Sequence, residues 1–259
     1  MSFMSVMQLL RPLLFACVLL SLLCAAAAHA EKITIAAAAD LKFAMDEIVT
    51  AFQQTHPADT VDVIYGSSGK FHTQIQQGAP FDLFFSADIA FPRALAQAGF
   101  AASEVKPYAL GRIVLWSTSL DASTMTLQSL ADPGIARIAI ANPKHAPYGK
   151  RAEEALRSLG LWEKLEPKLV YGENIAHTAQ FVQTGNAQVG IIALALALSP
   201  ALASKGAYWL IPDKLHQPLE QGFIITKRAQ DKVLAQRFAD YMAEKPARAV
   251  MTRYGFALN

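Results

Sequence analysis

Short runs rich in β-branched residues alternate with segments of helical periodicity along nearly the whole chain. That alternation restricts the fold to parallel strands joined by crossover helices. The strand-like runs are ITIAAAA (33–39), VDVIY (61–65), DLFFS (82–86), RIVLWS (112–117), RIAIA (137–141), KLVYG (168–172), QVGIIAL (188–194), AYWLIP (207–212) and GFIIT (222–226). In the first crossover Leu41, Met45, Ile48, Val49 and Phe52 form a helical stripe. Further helices are predicted over 89–98, 148–159, 175–184 and 229–243, with a short one from Pro246 to Tyr254. The expected fold class is therefore α/β throughout. A break near KPYALG (106–111) and a C-terminal strand-helix-helix able to pack back on the first units suggest two lobes joined by crossing strands. A single nine-strand sheet would satisfy the same periodicity.

The first thirty residues read as an export signal. Arg11 is their only charge, PLLFACVLLSLLCAAAA is an apolar core, and Ala28-His29-Ala30 is a small-x-small cleavage site. The apolar run is short for a membrane span, and polar sequence begins at Glu31-Lys32. Cys24 raises a lipoprotein alternative, but Leu23 precedes it where lipid attachment wants a small residue. Cleavage after Ala30 is expected, which takes thirty of the 259 residues and leaves 229. Both cysteines, Cys17 and Cys24, leave with the leader, so the mature chain has no disulfide, thiolate nucleophile or cysteine metal site and must rely on its core. Its 22 basic residues nearly balance 21 acidic ones with no run of like charge, which argues against nucleic acid or a membrane surface as a partner.

In parallel α/β sheets the turns at the carboxyl ends of strands converge on one edge, where ligands bind. Here those turns are Ala39-Asp40, Gly66-Ser67-Ser68-Gly69, Ser86-Ala87-Asp88, Asn142-Pro143 with Tyr148 close behind, and Gly172-Glu173-Asn174-Ile175. Each is small or polar and opens a helix, whose N–H groups and dipole favour an anion, although the same residues also serve as ordinary helix caps.

Several chemistries fail on these residues. A nucleotide P-loop needs a glycine where Ile64 stands and a hydroxyl where Phe71 follows Lys70. Ser67 and Lys70 have the Ser-x-x-Lys spacing of penicillin-recognising acyl enzymes, yet Ser-Asp-Asn and Lys-Thr-Gly are missing, and Lys70 occupies the last position of a would-be Gly-x-Ser-x-Gly elbow. The mature histidines His56, His72, His145, His177 and His216 include no pair at helical ligand spacing, so no protein-ligated metal and no cofactor is expected. An exported serine hydrolase using Ser67 and Lys70 is the alternative of a different class.

Four blocks, AAAADLKFAMDEI, YGSSGKFHTQIQQGAPFDLFFSAD, IAIANPKHAPYGKRAEEAL and ENIAHTAQFVQTGNAQVGIIAL, together with the terminal RYGFAL, are similar to the ModA family of periplasmic molybdate-binding proteins of ABC importers. The resemblance covers essentially the whole mature chain and is most specific in GAPFDLFFSAD and NPKHAPYG. It implies a two-lobed (type II) periplasmic binding protein, each lobe a mainly parallel sheet flanked by helices. Lobe one would comprise 31–110 and 222–259, and lobe two 111–221. The ligand would be one tetrahedral oxyanion, molybdate or tungstate, held by neutral donors and delivered to an ABC permease at the inner membrane by a non-catalytic monomer. By position, Ser68 would give its hydroxyl and N–H, Ala39 and Asp40 their N–H groups, Tyr148 a phenol and Ile175 an N–H from the facing lobe. Another oxyanion, of hydrogen phosphate or arsenate type, or a small carboxylate is the alternative within the class.

Two positions depart from the family pattern. Ala193 stands where some relatives place a tyrosine, which makes Tyr148 the phenol. Asp40 falls where relatives show a hydroxyl or amide, and a carboxylate beside a dianion is repulsive in a low-dielectric cleft. Either Asp40 turns away to cap the helix that starts near Leu41, or it accepts a hydrogen bond from a protonated oxyanion. Lys70 is expected to face solvent.

Overall fold

The computed structural model describes residues 30–258. The export-signal expectation falls on residues 1–29 and so lies outside the described residues. Among the described residues no helix is long and apolar enough to cross a membrane.

The chain first lays down β1 (Lys32–Ala38), α1 (Lys42–Thr55), β2 (Thr60–Gly66), α2 (Ser68–Gln76), β3 (Leu83–Ser86), α3 (Ala90–Gln97) and β4 (Lys106–Gly111). It crosses at Arg112 into β5 (Ile113–Ser117), β6 (Ile138–Ala141), α4 (Pro147–Ser158), α5 (Trp162–Leu165), β7 (Leu169–Gly172), α6 (Ile175–Gln183), β8 (Val189–Ala193), α7 (Leu194–Ala197) and β9 (Ala207–Leu210). It returns through β10 (Leu219–Ile225) and ends in α8 (Val233–Tyr241) and α9 (Lys245–Arg253). The ten strands form two five-stranded sheets, in the orders β2-β1-β3-β10-β4 and β7-β6-β8-β5-β9, rather than one.

Each sheet has a parallel heart. β1 runs parallel to β2 and β3, and β6 parallel to β7 and β8, as expected of strands joined by helices. The strands next to the crossings are antiparallel: β10 lies between β3 and β4, and β5 between β8 and β9. β4 is a strand where the sequence suggested only a break. It lies at a sheet edge, where Pro107 leaves little of the ladder unmade.

The alanine-rich β1 is buried because helices cover it on both faces. The stripe Met45, Ile48, Val49 and Phe52 of α1 packs into the same apolar cluster as Ile33, Ile35, Leu83, Phe85 and Phe223. That cluster also takes in Leu234 and Phe238 of α8, Met251 of α9 and Phe256, so the C-terminus completes the core around the first strand. The second sheet builds its own core from Ile113–Trp116, Ile138–Ala141 and Val189–Ala193 under α4 and α6. Fully burying a side chain of this size contributes about 1.5–3 kcal/mol, which suits a chain held together without disulfides.

Candidate functional site

Four helices begin at one cavity. A 3-10 turn, Ala39–Leu41, leads from β1 into α1; Ser68 starts α2; Tyr148 lies in the first turn of α4; Ile175 starts α6. Ala38, Ala39, Asp40, Ser68, Tyr148 and Ile175 are among the residues that line the cavity, so all five residues singled out from the sequence meet there. The first N–H groups of a helix have no partner within it, and four such ends present converging donors and positive dipole ends. The room inside is small, about 10 Å³ for the centre of a water molecule, which suits a compact group rather than a sugar or peptide. Two wider grooves are also present, of about 520 Å³ around Arg157 and Trp162 and about 410 Å³ between α1 and α6.

The local bonding leaves several donors available. Ser68 is fully buried, and its Oγ accepts the Ala87 N–H at 3.0 Å, so its own hydroxyl proton is left to donate. Asn174 caps α6 by accepting the His177 N–H at 3.0 Å, which leaves the Ile175 N–H outside the cap. Glycines allow the close approaches. A Cβ on Gly69 would lie 2.6 Å from the His145 carbonyl oxygen, and one on Gly149 would lie 2.0 Å from that of Ala141, directly under α4.

Asp40 behaves differently from the capping expectation. It is buried, and no side chain caps the turn or α1. Its Oδ2 instead accepts from the Tyr148 hydroxyl at 2.9 Å and from Gln221 Nε2 at 2.8 Å, while the same amide nitrogen reaches the Tyr148 oxygen at 3.1 Å. Two good donors on one oxygen outcompete a cap at a turn that begins as 3-10 rather than α. Burial pushes the Asp40 carboxyl up to about 6, against the opposing pull of Gln221, Tyr148 and the nearby N–H groups of Asp40 and Leu41. Burial, and then the Asp40 charge, pushes the Tyr148 phenol well above its ordinary value. The phenol expected to face a ligand thus gives its one proton to Asp40.

Gln221 escaped the sequence reading, which started the last strand at Gly222. The strand begins at Leu219, and a register shift between Gln221 and Gly222 accompanies the amide's placement beside Asp40. The available signal was a glutamine flanking an apolar run. Gly111, at the crossing from β4 to β5, makes room for the group: a Cβ there would lie 2.4 Å from the Tyr148 hydroxyl and 2.6 Å from Gln221 Nε2.

Further contacts tie the two sheets' loops together across the cavity. The Gly69 N–H donates to the His145 carbonyl at 3.0 Å, the Ser67 hydroxyl donates to the same carbonyl at 2.5 Å, and Arg151 pairs with Asp88 at 3.3 Å. Lys70 is half exposed but does not simply face solvent, because it pairs with Glu173. Ser67 Oγ also lies 3.0 Å from His145 Nδ1, yet with its proton on a carbonyl and Lys70 engaged elsewhere, the Ser67–Lys70 pair of an acyl enzyme is not formed. Among the described residues no cluster of three or more His, Cys, Asp or Glu side chains could hold a metal ion.

A cavity at the carboxyl ends of parallel strands, between two sheets that the chain crosses twice, is the arrangement of a protein that closes on a small solute. The model of the family described as "Bacterial extracellular solute-binding protein" matches residues 33–257. The chain belongs to this family. Within it, the chain is 36% identical over 240 residues to the molybdate-binding protein ModA of Azotobacter vinelandii, covering 91% of this chain and 94% of the relative. It is 35% identical over 230 residues to ModA of Rhodobacter capsulatus, covering 88% and 89%. The solved Azotobacter vinelandii periplasmic molybdate-binding protein superposes with a TM-score of 0.83 at 31% identity, over 88% of this chain and 99% of that one. The two sheets are accordingly the two lobes of a solute-binding protein.

Proposed function

We propose that the chain is an exported, non-catalytic solute-binding protein that captures molybdate or tungstate between its lobes and hands it to an ABC permease at the inner membrane. The observation that carries this reading is the meeting of four helix starts and the Ser68 hydroxyl at one small cavity, whose described lining residues include no lysine, arginine or histidine. Neutral oriented donors can share a dianion's charge without a buried lysine. The relatives' names support the choice of anion, and the periplasmic description of the solved Azotobacter vinelandii protein supports the same compartment for this chain. The open form binds the anion on one lobe, and the N–H groups of the other then favour closure. Sulfate offers the same acceptor pattern, so discrimination rests on cavity size. The protein acts as a monomer, and the lobe of residues 31–110 with 222–259, extended by Gly111 and Leu219–Gln221 through the strands they belong to, faces the remainder of 111–221.

Thermal denaturation tests the reading. A ligand that binds only the folded state stabilises it by about 4 kcal/mol at a thousandfold excess over Kd. Micromolar molybdate and tungstate are expected to raise Tm by several degrees, with sulfate, phosphate and arsenate giving little. Absence of a response to the first two would refute it. Lys70→Ala is expected to weaken molybdate binding less than about fivefold in calorimetry, because exposed ion pairs such as that with Glu173 contribute about 0–1 kcal/mol. A loss of a hundredfold would instead place Lys70 among the groups that hold the anion.

A further inference from the structure

Asp40 lines the anion cavity with Gln221 packed behind it, and each carries a buried oxygen without a partner. Asp40 Oδ1 and Gln221 Oε1 are both acceptors, and neither makes a hydrogen bond, although the N–H groups of Asp40 and Leu41 lie near the carboxyl. Asp40 is 1% exposed and Gln221 fully buried, so water does not readily satisfy them. The one proton among these three side chains that could serve a ligand, that of the Tyr148 hydroxyl, is spent on Asp40 Oδ2. As it stands, the wall presents a negative charge and an occupied phenol to an incoming dianion.

A single added proton reverses each of these features. Resting on the proposed capture of an oxyanion dianion, we propose that this protein takes up its anion together with one proton from solvent, held on the Asp40 carboxyl. The carboxyl then changes from acceptor to donor toward its neighbours, the Gln221 oxygen gains a donor once that amide turns over, and the Tyr148 hydroxyl is released to donate to the anion. Charge balances: one dianion and one proton enter, and the buried carboxylate is neutralised. Asp40 and Gln221 are positioning residues for the phenol.

Among the described residues, several charged side chains on the elements around Asp40 are already paired. Tyr148 and Tyr108 are the titratable groups that respond to its charge, and burial keeps both phenols protonated. On α1, Lys42 pairs with Asp46, which also accepts from the Tyr65 hydroxyl at the end of β2. Arg151 on α4 is held by Asp88 and Glu154, Glu220 on β10 by Arg93, and Lys70 on α2 by Glu173. On α6 the His177 Nδ1 accepts the Glu173 N–H. Burial raises the Asp40 carboxyl to about 6, so at pH 7.5 the ligand-free protein holds it mostly as the carboxylate, with a proton left to take up.

Calorimetric titration of the purified protein with sodium molybdate at pH 7.5, in two buffers of different ionisation enthalpy, counts the protons. The expected result is close to one proton taken up per molybdate bound, with affinity falling about tenfold for each pH unit above 7. Asp40→Asn is expected to bind molybdate with uptake near zero and an affinity independent of pH, since the amide supplies the donor permanently. Binding by the natural chain without net proton uptake overturns the proposal whether or not the variant folds, and so does uptake that persists in Asp40→Asn. If molybdate and tungstate give no heat and no thermal shift with the natural chain, the assignment of the ligand has failed rather than the proton coupling.

Discussion

Gly69→Ala is expected to fold as well as the natural chain and to bind molybdate at least about a hundredfold more weakly, a loss of about 2.7 kcal/mol. Gly69 lies in the first turn of α2, where its N–H donates to the His145 carbonyl of the facing lobe. An added methyl would sit 2.6 Å from that oxygen and 3.0 Å from the His145 Cα, both backbone atoms that no rotamer change can remove. Within its own lobe the substitution is harmless, since alanine is favoured over glycine in a helix by about 0.5–1 kcal/mol. The whole cost therefore falls on the closed form, and a ligand that depends on closure loses affinity in proportion. Calorimetry with molybdate measures the loss, small-angle scattering should show the ligated variant more extended, and the ligand-free Tm should be equal or higher. Affinity within threefold of the natural chain would mean that the Gly69–His145 approach is not part of the binding state.

Asp40→Asn is expected to stabilise the ligand-free protein at pH 7.5 by up to about 3 kcal/mol, or roughly 6–12 °C in Tm for a chain of this size. The carboxyl rises from its ordinary 3.8 to about 6 in the folded protein. The folded state thus binds a proton that the unfolded state has already released, so stability declines as pH climbs from about 4 to 6. Above that window the full penalty of a buried carboxylate is present. Asparagine escapes it and keeps an oxygen for the Tyr148 hydroxyl. Its new N–H₂ meets Gln221 Oε1 once that amide turns over, which also relieves a buried oxygen that now lacks a donor. Below pH 4 the natural carboxyl is protonated in both states and the advantage should vanish. Paired melting curves of the two proteins from pH 4 to 8 cancel the contribution of other groups. A difference that does not grow between pH 4 and 6.5 would show that Asp40 is not buried as a carboxylate.

The convergence of Ala39, Ser68, Tyr148 and Ile175 was legible because each follows a β-rich run at the point where a helix begins, and parallel strands bring such points to one edge. What Asp40 and Tyr148 do with each other was not legible. Their bond joins residues 108 positions apart, and the third member, Gln221, lies on a strand that reaches the first sheet only after the chain has built the second. β4 was hidden by Pro107 and by mixed polarity, both tolerated because it is an edge strand, met on its outer side only at the Leu110–Ala257 bridge. The antiparallel strands at the crossings follow from topology: a chain leaving one sheet for another cannot re-enter in the original direction without a further crossover helix.

The place of β10 has a consequence for how the molecule is made. The second sheet is assembled from one continuous stretch, Ile113–Leu210, and so can form once that stretch is available. The first sheet cannot: its fourth strand in spatial order is the last in the chain, wedged between β3 and β4, and Phe238, Met251 and Phe256 close its core. Those contacts span some two hundred residues, a separation that makes their formation slow. The lobe bearing Asp40 and Ser68 therefore stays unfinished until β10, α8 and α9 have been made. Until then β3 and β4 lack the strand that joins them, and the four helix starts have no finished lobe on which to meet.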